Sequence, residues 1–206
     1  MKSQTSAGHR VQPILLALYI AGLLLSLSPA AAQQPLVIKP VTEKKLKQLP
    51  AGQLYWRVET LPTLQQAQAA AGEASLAAEA SGKFWLFTLG PKGGATTGAS
   101  KVAEIGPVPV IAAPEYLLRI NHASGPPGAK TPVHSHPGSE AFYVLRGRLG
   151  QRTPHGVVHA DAGQPMNGHG ADMAMEVFSA GTTDLEQLVM FVVDATRPFS
   201  SPAKLD

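Results

Sequence analysis

The chain changes character at Lys83, where short runs that could form strands begin, most of them rich in apolar residues and separated by turn residues. Eight such runs follow, at residues 84–89, 101–105, 116–121, 133–136, 140–146, 157–160, 174–178 and 185–193. Glycine and proline lie between them, as in Gly125-Pro126-Pro127-Gly128. This spacing predicts an all-β sandwich or barrel. The last run is almost continuously apolar, which predicts a central strand that is buried on both faces.

Residues 33–82 carry a different pattern. Thr63 and Gln66 fit a capping box at the start of a helix, and an alanine-rich run continues to about Ala80. Alanine and glutamine favour helix, although Gly72 interrupts the run. We therefore expect an N-terminal extension with an Ala-rich helix at residues 33–82, followed by a barrel and a C-terminal tail at residues 83–206.

The first 32 residues are typical of a secretory signal peptide. Residues 14–27 form an apolar run of fourteen, preceded by Lys2 and Arg10 and followed by small residues up to Ala32. As a helix the run would span about 21 Å, against about 30 Å for a membrane core, which disfavours the alternative of an uncleaved anchor. We predict cleavage after Ala32, a periplasmic or secreted protein, and no membrane contact after cleavage.

Composition excludes several classes of site. The chain of 206 residues has no cysteine, which rules out disulfides and thiolate metal sites. Lys2 and Arg10 would leave with the signal peptide, so 15 basic residues would remain beside 14 acidic ones, a net charge of +1. This balance offers no basic patch for nucleic acid, and we expect no nucleic-acid partner.

Two histidines and a glutamate stand close together in the sequence. His134 and His136 are two residues apart, so in an extended chain both rings point to one face. The turn signal at residues 137–139 would bring Glu140 back to the same point. Two histidines and one carboxylate form a facial triad that leaves positions open around a divalent transition metal.

This stretch resembles the first motif of the cupin superfamily, G-x5-H-x-H-x3-E-x6-G, with all its defining residues present: Gly128, His134, His136, Glu140 and Gly147. The resemblance covers roughly residues 83–197. It implies a cupin-like double-stranded jelly-roll barrel and a metal ion, which could be Fe, Mn, Zn, Ni or Cu. Cupins often pair through sheet edges, so a homodimer is also expected.

The second cupin motif is altered. In the matching segment, residues 156–170, Asp161 replaces the proline, Gly170 replaces the asparagine, and Met166 stands where a histidine ligand is expected. Three accounts follow: Met166 ligates through its thioether, His169 moves in as the fourth ligand, or His134, His136 and Glu140 hold the ion with water completing the site. The facial triad is sufficient for a metal, so we favour the third account and rank His169 second.

Cupins include dioxygenases, isomerases, decarboxylases and non-catalytic binders, and the fold does not choose among them. One hypothesis is a metal-dependent enzyme such as an oxygenase, in which Glu140 is a catalytic residue, as a ligand or as a base that leaves the metal. A second is a periplasmic module that binds a small molecule or a metal without chemistry. A third is a structural protein that keeps the motif for folding. The first two imply a small-molecule partner.

Overall fold

The central layer of the computed structural model, which describes residues 34–205, is a five-stranded antiparallel sheet. Its order is β1-β6-β13-β8-β11. The strands are β1 (Val37–Leu46), β6 (Tyr116–Gly125), β13 (Leu185–Asp194), β8 (Gly138–Arg146) and β11 (Pro165–Asn167). The middle strand, β13, is buried along almost its whole length, which confirms the prediction made for residues 185–193.

A second sheet closes the barrel on one face of the central layer. It contains β10 (Gly156–Asp161), β9 (Arg148–Thr153) and β12 (Glu176–Ser179), in that order. A bridge from Met175 to His134 continues it toward a two-stranded ladder of β7 (His134–Ser135) and β14 (Ser201–Pro202). Phe142, Val189 and Phe191 of the central sheet pack in one buried cluster with Leu149 and Val177 of the second sheet. The prediction of an all-β, double-sheet barrel is therefore confirmed.

A third sheet covers the other face of the central layer. Its order is β3-β4-β2-β5, with β3 at Ser75–Ala80, β4 at Lys83–Gly90, β2 at Tyr55–Leu61 and β5 at Ser100–Ile105. Trp56, Trp85 and Phe87 pack against Ile120 and Met190 of the central sheet. Side chains alternate along a strand, so β13 sends one set of apolar residues into the barrel and the other toward this third sheet. Its nearly continuous apolar sequence follows from this double burial.

The expected N-terminal helical extension is wrong in most of its length. The one helix in the described part of the chain is α1 (Leu64–Ala70). Its start agrees with the prediction, because the Thr63 side chain accepts a hydrogen bond from the Gln66 N–H at 3.2 Å. After Gly72, however, residues 75–80 form β3, which pairs with β4. The pairing gives this segment sheet hydrogen bonds and buries Leu76, which outweighs the helix propensity of alanine.

The strands before Lys83 belong to the same set of sheets as those after it. β1 pairs with β6 in the central sheet, with a register shift between Pro40 and Thr42. The expected boundary between residues 82 and 83 falls in the turn between β3 and β4, where Ala80 faces Lys83.

Each of the eight predicted runs overlaps a strand, while β1, β2, β3, β9, β11 and β14 were not predicted. The proposed signal peptide lies outside the described residues, within which no helix has the length and apolar character needed to cross a membrane.

Candidate active site inside the barrel

The barrel interior contains a cavity of about 380 Å³ that is partly open to solvent. Most of its wall is apolar, and includes Phe142, Val189, Phe191 and Phe199. Polar side chains interrupt this wall at a few points, which are Asn121, Lys130, Thr131, His134, His136, Glu140, Gln187, Ser200 and Ser201. A cavity of this size suits a molecule of drug-like dimensions, with the polar groups fixing its orientation.

His134 and His136 lie side by side in the cavity wall, with ring centroids 5.0 Å apart. Nδ1 of His134 lies 2.8 Å from the Pro132 carbonyl oxygen, and Nδ1 of His136 lies 2.6 Å from the Phe199 carbonyl oxygen. A carbonyl can only accept, so each Nδ1 carries a proton and donates it. In the neutral form of such a ring, Nε2 is the unprotonated nitrogen that can bind a metal. Metal-binding histidines are often held in this way by backbone carbonyls.

The ring of His136 is packed between two aromatic rings. Its centroid lies 4.9 Å from that of Phe191 and 4.8 Å from that of Phe199, and the residue is 4% exposed. Burial lowers the pKa of His136 to about 4, with smaller contributions in the same direction from His134 and Arg119, although its hydrogen bond to the Phe199 carbonyl acts the other way. His136 is therefore neutral at pH 7.

Glu140 is fully enclosed on β8 and points into the same cavity. Its Oε1 accepts a hydrogen bond of 2.5 Å from Nε2 of Gln151, and the described residues place no cation within ion-pair distance of it. Burial raises the pKa of Glu140 to about 8, because the hydrogen bond from Gln151 offsets only part of the desolvation. Without a bound cation, this carboxyl group holds a proton at neutral pH.

Gln151 and Gly168 set the position of Glu140, and neither was predicted. Gln151 lies on β9 and is completely buried. The Gly168 N–H donates to the Glu140 carbonyl oxygen at 3.1 Å, and a Cβ on Gly168 would lie 2.7 Å from Cγ of Glu140. No local pattern pointed to Gln151, since β9 itself was not predicted.

The two candidates for a fourth ligand lie elsewhere. The His169 ring is 6.4 Å from the ring of His155, and His169 is not among the residues that line the cavity. Its pKa is lowered, first by burial and then by His155. Met166 on β11 faces Phe142 in the strand register and packs against the buried cluster inside the barrel. Neither residue is therefore part of the cavity wall that holds the histidine pair.

The donor types fit a divalent transition metal, since the cavity wall offers two imidazole Nε2 atoms and one carboxylate. The three side chains do not form a closed set, however. Within residues 34–205, no three His, Asp or Glu side chains are grouped so as to hold one ion. The Glu140 carboxyl is directed to Gln151 instead. Of the three predicted ligands, His134 and His136 have the hydrogen bonds to backbone carbonyls that metal-binding histidines make. The role of Glu140 as a third ligand stays a prediction.

No protein-family model and no curated protein sequence matches the chain. Among solved structures, a cupin-like protein from Thermotoga maritima is 17% identical over 43% of this chain and 65% of its own, with a TM-score of 0.38. A Klebsiella pneumoniae protein with a double-stranded beta-helix domain is 18% identical over 42% and 75%, with a TM-score of 0.37. A polyketide cyclase from Streptomyces resistomycificus is 19% identical over 43% and 62%, with a TM-score of 0.36.

These similarities are distant and concern the fold alone. The chain spans less than two thirds of the length of the Thermotoga and Streptomyces structures. The family resemblance rests on the chain itself: the motif residues His134, His136 and Glu140 line the interior of a barrel made of two antiparallel sheets. The barrel fold and the placement of these motif residues are thus those that the resemblance to the cupin motif implies.

Proposed function

We propose that this chain is a metal-dependent enzyme that acts on a small, largely apolar molecule inside the barrel, with an oxygenase as the reaction class to test first. The observation that carries the proposal is the histidine pair. Both rings donate from Nδ1 to backbone carbonyls, and both lie in the wall of a cavity large enough for a substrate.

His134 and His136 would hold the ion, and Glu140 is the carboxylate of the cavity wall that would join them. A divalent transition metal supplies Lewis acidity when bound, and redox-active ions add one-electron chemistry. Phe191 and Phe199 fix the plane of the His136 ring. Phe142 and Val189 contribute apolar wall that a substrate would contact. Gln151 holds Oε1 of Glu140, which leaves Oε2 as the atom that would take up or release a proton.

Metal titration of stripped protein tests the proposal. We expect Mn²⁺, Fe²⁺, Ni²⁺, Zn²⁺ or Cu²⁺ to bind at about one ion per chain, and His134→Ala/His136→Ala to abolish binding. His155→Ala/His169→Ala is the matched control, because it removes the other adjacent histidine pair and leaves the cavity intact. Loss of the ion in this control, with retention in the first variant, would contradict the proposal. O2 uptake by the loaded protein, screened with phenolic and diketone compounds, then tests the reaction class.

A second candidate is a module that binds a small molecule without chemistry. It is favoured by the altered second motif and by the absence of a closed three-ligand group in the described residues. A ligand screen by thermal shift separates the two candidates. Stabilisation that persists undiminished in His134→Ala/His136→Ala would favour the binding module, because binding would then not need the metal.

We also propose that the protein is exported and cleaved after Ala32, leaving a periplasmic or secreted chain. The support is the apolar run at residues 14–27 followed by small residues. The intact mass of protein from the periplasmic fraction or the medium tests this proposal. A chain that begins at Gln33 is expected, and a full-length chain retained in the membrane fraction would contradict it.

A further inference from the structure

Gln187 is a buried polar residue that the proposed metal chemistry does not use. It lies on β13, lines the cavity and is 1% exposed. Its Nε2 and Oε1 atoms are both buried, and neither has a hydrogen-bond partner in the described structure. An amide left in this state is costly, since it loses its bonds to water and gains none from the protein. The cavity wall therefore holds an amide whose two N–H donors and carbonyl acceptor have no partner in the described structure.

Gln187 is far from the histidine pair. In the strand register, Glu140 is level with Phe191, and Gln187 lies four residues earlier on β13. At about 3.4 Å per residue, the two levels are about 14 Å apart along the strand. Between them Val189 is flanked by Asn121 and Phe142. A molecule that reaches from one level to the other would cross a largely apolar stretch of wall.

The surroundings of Gln187 favour an uncharged partner. Its neighbours across the sheet are Ala123 on β6 and Val144 on β8, which offer no charge. Lys130 also lines the cavity, but its Nζ is paired with Glu176 at 2.7 Å. A carboxylate beside Gln187 would be desolvated without a cation, whereas a carboxamide offers both a donor and an acceptor to an amide.

We propose that Gln187 is a specificity-determining residue that binds the far end of an elongated apolar ligand through an uncharged amide-like group, one with a carbonyl oxygen and an N–H. The inference rests on the proposed small-molecule function of the cavity. It does not require the metal, because Gln187 is four strand positions from the level of Glu140.

The test uses decanamide as the probe, with methyl nonanoate as a matched ligand that keeps the carbonyl oxygen and lacks the N–H. Binding is measured by calorimetry on wild type, on Gln187→Met and on the exposed control Gln65→Met. We expect wild type and the control to prefer the amide by about tenfold or more, since an unpaired Oε1 is left with the ester. Gln187→Met should lose this preference. Equal binding of both probes by wild type, or an unchanged preference in Gln187→Met, would overturn the inference.

A second measurement tests whether Gln187 has only a structural role. Methionine has nearly the same length as glutamine and no amide to satisfy, so ligand-free Gln187→Met should melt at a higher temperature than wild type. A lower melting temperature would mean that Gln187 is satisfied without a ligand, and would overturn the inference. The calorimetry is repeated in His134→Ala/His136→Ala. An amide preference that persists there supports the role of Gln187 even if no metal binds, whereas metal binding without any amide preference leaves only the metal proposal standing.

Discussion

Burial acts on Glu140 and His136 in the same sense, because it favours the neutral form of both. It raises the pKa of the glutamate to about 8 and lowers that of the histidine to about 4. In the metal-free protein at pH 7, Glu140 thus carries a proton and the ring of His136 is neutral. An ion that binds Glu140 would therefore displace this proton, whereas Nε2 of His136 can bind without losing one.

The carboxyl of Glu140 makes the stability of the metal-free protein depend on pH. The pKa of Glu140 is about 8 in the folded chain, against 4.5 as the ordinary value. The folded state holds the proton of Glu140 more tightly than the unfolded state does. The contribution of this proton to the free energy of unfolding is therefore complete below pH 4.5 and is lost as pH rises through 8. Relative to Glu140→Gln, we expect the free energy of unfolding of wild type to fall by about 1.4 kcal/mol for each pH unit in this window.

Denaturant unfolding of both proteins at pH 5, 7 and 9, with a chelator present, measures the difference. His136 is present in both proteins, so its own titration largely cancels. A difference that stays constant across these three values would show that Glu140 does not carry a raised pKa.

Gly138, at the start of β8, lies against the backbone of β13. A Cβ at this position would be 2.2 Å from the Val192 carbonyl oxygen and 2.6 Å from the Val193 Cα. Backbone cannot move aside as a side chain can, so we expect Gly138→Ala to cost about 2 to 3 kcal/mol of the free energy of unfolding. Gly90→Ala is the matched control, because Gly90 ends β4 and a Cβ there would have no neighbour within 4 Å. This control should change stability by less than about 0.5 kcal/mol, and equal effects of the two substitutions would contradict this account.

The sequence predicts the three motif residues of the site, but it does not predict the residues that reach the site from other strands. His134, His136 and Glu140 are close in the chain, so a local motif is enough to place them on one wall of the cavity. Gln151, Gln187 and the Phe199 carbonyl reach the site from β9, β13 and the C-terminal segment. Their roles depend on strand pairing across long sequence separations, which no single stretch of sequence records.

At the scale of the element, α1 shows where local signals suffice. The Thr63 side chain caps the Gln66 N–H, as the sequence predicts. We expect Thr63→Ala to lower the free energy of unfolding by about 1 kcal/mol, because an N–H at the helix start loses its acceptor. Thr63→Ser keeps the hydroxyl and should have a much smaller effect in denaturant unfolding. A loss as large in the serine variant would point to packing of the threonine methyl group and not to the cap.

β3 shows where local signals fail. Its residues, Ser75–Ala80, favour helix by composition, yet they pair along their full length with β4. The neighbouring strand contributes Trp85 and Phe87, which are fully buried, so the pairing brings β3 into the largest apolar cluster. Propensity differs by tenths of a kcal/mol per residue, and tertiary packing of this kind exceeds it. By contrast, the eight predicted strands are bounded by turn residues and carry their own apolar pattern.

At the scale of the whole molecule, three sheets are stacked and the central one is covered on both faces. Leu118, Ile120, Leu188, Met190 and Val192 of the central sheet are buried in one cluster with the third sheet. We expect a chain limited to residues 83–206 to lack a cooperative unfolding transition and to bind a dye for exposed apolar surface, because it loses β1, β2 and β3. The chain of residues 33–206 should unfold in one transition. Cooperative unfolding of the shorter chain would show that the barrel folds without β1, β2 and β3, and would contradict this prediction.

The central claim is that His134 and His136 hold a metal ion in the barrel. Its most direct test is the metal content of the protein purified without chelators from cells supplied with Mn, Fe, Ni, Cu and Zn. We predict about one transition-metal ion per chain in wild type, and less than about a tenth of an ion in His134→Ala/His136→Ala. Wild-type protein that is folded and contains no ion at neutral pH would contradict the claim.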